Sequence, residues 1–127
     1  MAHRSRLAAL VLDSRVDDLE ASTRFWSAAL GRPAQEADEN GDGRYAVLQV
    51  PDDQPQILLQ KVEHESRVHL DIETDDMNAE VARLEQLGAK KVAFVKRWWV
   101  MEAPSGQRFC VVQPQRGELG DDANLWD

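Results

Sequence analysis

The side chains able to do chemistry sit mainly on two segments. Along Arg67-Val68-His69-Leu70-Asp71-Ile72-Glu73 the polarity alternates, so on a strand Val68, Leu70 and Ile72 face one way while Arg67, His69, Asp71 and Glu73 face the other. A histidine on that polar face titrates near neutral pH and can act as a general base. A solvent-facing histidine on an ordinary strand would show the same pattern. Trp98 and Trp99 are adjacent, which sends one indole to each face. An indole near Tyr45, Glu102 or His69 could stack on a flat aromatic or cationic ligand; the alternative is packing in the core or a dimer contact. Arg108 can hold a carboxylate in a two-bond fork or pair internally with Glu102 or Asp71. Cys110, between Phe109 and Val111, reads as a small core hydrophobe. His3 and His64 lack metal-ligand spacing to His69 and read as surface residues.

These residues must be positioned by a repeated element. Tyr45-Ala46-Val47-Leu48-Gln49-Val50-Pro51 resembles Trp98-Trp99-Val100-Met101-Glu102-Ala103-Pro104 at an offset of 53, and Ile57-Leu58-Leu59-Gln60 resembles Cys110-Val111-Val112-Gln113 at the same offset. Each copy reads as strand, Pro-containing turn, strand. Upstream, Asp17-Asp18-Leu19 resembles Asp75-Asp76-Met77 at an offset of 58, and Glu39 to Gly43 could supply the extra residues as a longer turn. Each unit opens with a strand, Leu7 to Leu12 and Arg67 to Glu73. Acidic residues then suit a helix N-terminus, and Gly31 and Gly88 close the helices. Leu19, Trp26 and Leu30 form one apolar stripe, Met77, Val81 and Leu84 the other. Further strands are predicted at Ala34 to Ala37, Tyr45 to Val50, Gln56 to Val62, Lys91 to Val95, Trp98 to Glu102 and Phe109 to Gln113. The order is βαβββ twice, an α+β pattern, with module one at about 7–62 and module two at about 67–113. The acidic tail, 114–127, reads as mobile unless Leu125 and Trp126 dock.

The 127 residues fit a single domain. With 23 acidic against 15 basic side chains the net charge is -8, which repels phosphate backbones and argues against nucleic acid. No stretch reaches the ~20 apolar residues of a membrane span. The apolar run after the basic start is too short for an export signal. The single cysteine cannot form an internal disulfide, so a reducing cytoplasm is the expected compartment.

The helix with Arg24-Phe25-Trp26 and Leu30-Gly31, the strand Arg67-Val68-His69-Leu70-Asp71, the step Leu87-Gly88-Ala89 and the run Pro104-Ser105-Gly106-Gln107-Arg108-Phe109-Cys110 together resemble a glyoxalase-like branch of the vicinal oxygen chelate superfamily, from about Leu7 to Gln113. The resemblance implies two βαβββ modules forming an open curved sheet cleft with helices outside. Metal-dependent members hold a divalent ion with side chains from the first and last strands of each module; others are non-catalytic drug-sequestering proteins, typically dimers. His69 takes the first-strand ligand position of module two. Arg108 stands where a glutamate ligand is normal and has no lone pair to give. In module one the positions fall on Ala9 or Val11 and on Pro55 or Gln56. The expectation is therefore a homodimeric small-molecule-binding protein with no metal or other cofactor, its ligand held by His69, Arg108, Trp98, Trp99, Glu102 and Tyr45. The alternatives are a lyase or isomerase with His69 as general base, and a structural or regulatory dimer without a ligand.

Overall fold

The computed structural model describes residues 2–35 and 43–127. They form eight strands and two helices in the order β1 (His3–Ser14), α1 (Glu20–Leu30), β2 (Tyr45–Leu48), β3 (Gln56–Lys61), β4 (Arg67–Thr74), α2 (Met77–Gln86), β5 (Lys90–Val95), β6 (Trp98–Glu102), β7 (Arg108–Val112) and β8 (Asn124–Trp126). The class is α+β, and the strands leave an open, unclosed sheet. Ala34 makes one isolated bridge, to Leu48, and no strand among the described residues. Glu36 and Ala37 of that expected strand, and most of the expected insertion at Glu39 to Gly43, lie outside the described residues.

The chain divides into two compact units, Met1–Ala8 with His69–Asp127, and Ala9–Val68. In the second of these, β3 pairs antiparallel with β2 and parallel with the later part of β1. Leu48 and Leu59, from β2 and β3, and Leu19, just ahead of α1, are buried together, with Trp26, Leu12, Ala46 and Ile57 packed around them. The Asp18 carboxylate accepts from the Glu20 N–H at 3.0 Å, which supplies the start of α1 with an acceptor. Gly31 ends it at φ 65° in the left-handed region. Phe25 and Leu30 remain exposed, so the stripe read from the sequence is narrower in the fold.

In the other unit the ladder runs β4-β7-β6-β5. β4 pairs parallel with β7, and β6 pairs antiparallel with β7 and β5. Asp76 caps α2, its carboxylate accepting from the Ala79 N–H at 3.0 Å. Val81 and Leu84 from α2 are buried with Met101 and Val111, and Ile72, Trp99 and Phe109 pack against them. A Cβ on Gly88 (φ 107°) would lie 3.0 Å from Cγ of Pro104, so the close approach of the β6-β7 turn and the positive φ both favour glycine after α2. The tail takes the docked alternative. Asn124–Trp126 pairs antiparallel with His3–Ser5, Trp126 Nε1 donates to Ser5 Oγ at 2.8 Å, and the Arg83 guanidinium lies 4.0 Å from the Trp126 ring centre. Backbone pairing and an indole between two partners hold it in place.

Burial and pairing refine the repeat. Leu48 and Met101 are equivalent at the expected offset of 53, but Leu59 faces Ala46 across the hairpin while Val111 faces Trp99. The last strands therefore align at an offset of 52, one residue short of the sequence alignment. Through the parallel pairs Leu12 with Leu59 and Ile72 with Val111, the first strands align at an offset of 60. That alignment matches the buried ends Asp13-Ser14 and Glu73-Thr74.

Candidate functional site

In the unit containing His69, strand alternation assigns each residue a face. Ile72, Phe109, Val111, Met101 and Trp99 point to the α2 side. Their neighbours therefore point to the other face and, by register, form rows across β4, β7 and β6. The first row is His69, one residue before the Leu70–Phe109 pair, then Arg108 and its partner Glu102. The second is Asp71, Cys110 and Val100. The third is Glu73, Val112 and Trp98.

In the first row Arg108 Nε donates to Glu102 Oε1 at 3.4 Å. Both side chains are more than a third exposed, and a pair of this kind contributes about 0–1 kcal/mol. Of the two internal partners considered for Arg108, the structure selects Glu102. Linking the rows, His69 Nε2 lies 3.2 Å from Asp71 Oδ1, both side chains largely buried. In the third row Glu73 is fully buried and takes Arg6 Nε at 3.1 Å and the Gln115 N–H at 3.0 Å. That acid is committed to structure.

The other expected site residues are dispersed. Trp98 shares the face but sits four residues from Glu102 along β6, about 13 Å at strand rise, so it does not stack over the first row. Trp99 faces α2, edge-on to Phe94 with ring centres 5.2 Å apart, and belongs to the packing of that side. Tyr45 lies in the other unit, exposed, with Gln60 Nε2 donating to its hydroxyl at 3.3 Å.

Two readings are corrected. Cys110 does not join the core: its neighbours Phe109 and Val111 do, and alternation turns the thiol toward His69 and Asp71, in register with the latter. His3 is not a surface residue. It is buried, with Nε2 2.8 Å from Glu80 Oε1, and Glu80 also receives Arg83 Nε and Nη2 at 2.8 and 2.9 Å. Burial by itself would raise the Glu80 pKa, but the hydrogen bonds from Arg83, His3 and Ser5 outweigh it and hold the carboxyl below its ordinary value. His64 is exposed, as expected. What sequence reasoning missed at the site is the pair Asp71 and Cys110; the period-two alternation of β7 was the signal that could have found it.

The metal arrangement implied by the resemblance does not fit these residues. The observed registers assign its four positions to Ala9, Gln56, His69 and Arg108. A methyl group, a neutral amide and a guanidinium leave one strong donor, and a catalytic zinc needs three.

Comparison with known proteins agrees with this architecture. The family described as "Glyoxalase-like domain" matches residues 9–112. No curated protein matches the chain. Among solved structures, methylmalonyl-CoA epimerase from Mycobacterium tuberculosis is 20% identical with a TM-score of 0.61, the match covering 86% of this chain and 87% of that one. A hypothetical protein from Bacillus halodurans C-125 is 10% identical with a TM-score of 0.63, covering 91% and 99%. Streptomyces coelicolor methylmalonyl-CoA epimerase, solved with 2-nitronate-propionyl-CoA, is 16% identical with a TM-score of 0.57, covering 84% and 96%. At such identities these likenesses speak to fold alone. The family match spans most of the chain, and the chain belongs to the glyoxalase-like domain family of the vicinal oxygen chelate superfamily.

Proposed function

We propose that the protein binds a small molecule on the polar face of β4-β7-β6, at the row His69, Arg108 and Glu102, without the superfamily's metal arrangement. The observation that carries this reading is the row itself: an imidazole, a guanidinium and a carboxylate side by side on rigid strands. The Arg108–Glu102 contact is a single long bond between exposed groups, so a ligand carboxylate can replace Glu102 and gain the bidentate geometry that the internal pair lacks. Trp98, farther along the face, would meet an aromatic or cationic portion of a longer ligand.

A second reading is an isomerase or lyase in which His69 moves a proton. It is favoured by the Asp71 carboxylate 3.2 Å from the imidazole, which places an acidic group beside the proposed base. The methylmalonyl-CoA epimerases among the solved structures make acyl thioesters of coenzyme A a sensible part of any ligand panel.

The test is calorimetric titration with small carboxylic acids, their coenzyme A thioesters and aromatic cations, on wild type and Arg108→Ala. Stoichiometric binding that weakens about tenfold or more in the variant is expected; binding indifferent to Arg108 would remove the row as the site. Solvent deuterium entering a bound thioester, and lost in His69→Ala, would establish the isomerase reading. A homodimer in a reducing cytoplasm completes the proposal. It is supported by β5, exposed along its whole length with Val92, Phe94 and Val95, and by the free thiol of Cys110; a monomer in sedimentation would remove the dimer. Among the described residues no helix is long and apolar enough to cross a membrane.

A further inference from the structure

Asp71 and Cys110 have no part in the ligand row, yet they are in-register neighbours beside it. One donor atom from each of His69, Asp71 and Cys110 lies within 4.8 Å of the others. Asp71 Oδ1 is buried and accepts no hydrogen bond, although His69 Nε2 is only 3.2 Å away; the two groups are close without hydrogen-bond alignment. A buried carboxylate oxygen without a donor is costly, and a cation drawn in among the three donors would relieve that cost.

We propose that His69, Asp71 and Cys110 hold one divalent cation of the thiophilic class, zinc being the type, with the fourth position open to water or to a ligand atom. Nitrogen, oxygen and sulfur donors on a four-coordinate ion suit zinc. Magnesium and calcium require six or more oxygens, and this cluster offers one carboxylate. The thiolate and the carboxylate together neutralise the ion, which lowers the cost of keeping it in a half-buried place. Zinc distances of about 2.0–2.3 Å imply donor separations of about 3.3–3.8 Å, so closing the cluster takes side-chain adjustments of about 1 Å on two fixed strands. Arg108, one pleat repeat before Cys110 on β7, is offset by Glu102.

This site shares only His69 with the positions marked by the resemblance. It lies one step farther along the sheet, and the expectation of no metal, drawn from those positions, does not extend to Asp71 and Cys110. It shares His69 with the ligand row, but its other two donors lie outside that row, so metal uptake can be tested without any ligand.

Cobalt(II) titration of the full chain, freed of metal by chelator and kept reduced, tests it. The expected result is one equivalent bound, with the strong visible bands of four-coordinate cobalt and a thiolate-to-metal charge-transfer band, both removed by zinc. Cys110→Ser should lose the charge-transfer band, and Asp71→Asn should keep it while binding about tenfold or more weakly. Circular dichroism of the metal-free variants checks that they fold, and protection of the wild-type thiol from alkylation by zinc provides a readout needing no variant. No cobalt uptake, uptake without the thiolate band, a thiol equally reactive with zinc, or unchanged affinity in folded Cys110→Ser would each overturn the proposal.

Discussion

Glu80→Gln tests how the start of the chain, α2 and the tail are held together. Glu80 is fully buried and receives three charge-assisted contacts, one from His3 and two from Arg83, all at 2.8–2.9 Å. Glutamine keeps the shape but removes the charge, and its amide nitrogen presents a donor to a donor. Such bonds are worth about 1.5–3 kcal/mol each. The Arg83 side chain is about a quarter exposed, so water recovers part of the loss, and a net cost of about 2–4 kcal/mol follows. At this chain length that corresponds to a fall in Tm of about 10 °C. The pH dependence has a definite sign. The Glu80 carboxyl is held below its ordinary value of 4.5 in the folded protein, so its stabilisation is complete above that value and disappears as pH falls through the folded pKa. Urea denaturation of wild type and Glu80→Gln, followed by circular dichroism at neutral pH and at several acidic values, should show a gap that narrows with acid. A neutral-pH difference under about 0.5 kcal/mol, or a gap unchanged in acid, would refute the reasoning.

Two further outcomes concern the same unit. Gly88→Ala should cost about 1–3 kcal/mol, because it combines a positive φ with a Cβ 3.0 Å from Pro104; a thermal melt matching wild type would show that the turn yields freely. Trp126→Ala removes the hydrogen bond to Ser5 and the stacking on Arg83, about 1–2 kcal/mol in all. Amide exchange at His3–Ser5 and Asn124–Trp126 should speed up, and unchanged protection there would mean that backbone pairing alone holds the tail.

Much of this protein was legible before folding, for local reasons. Alternation marked β4, 3.6-residue spacing marked α2, and the recurrence of strand-turn-strand around Pro51 and Pro104 marked the two hairpins, because each pattern is written within a few neighbouring residues. The amino-acid types at the implied ligand positions also sufficed to show that the superfamily's metal arrangement is incomplete: no fold gives Arg108 a lone pair. Other features depended on partners far along the chain. The one-residue shift between the last strands is set by cross-strand pairing, which residue similarity does not encode. Trp98 and Trp99 were bound to part, but only the side covered by α2 determined that Trp99 packs there while Trp98 takes the other face. His3 and Trp126 looked like frayed ends, and their burial depends on Glu80, Arg83 and Ser5, which the sequence holds far apart. Cys110 was judged by its apolar neighbours, yet alternation turns those neighbours away from it. Its meeting with His69 and Asp71 comes from the parallel pairing of β4 with β7, a contact between strands about forty residues apart that only tertiary structure could decide.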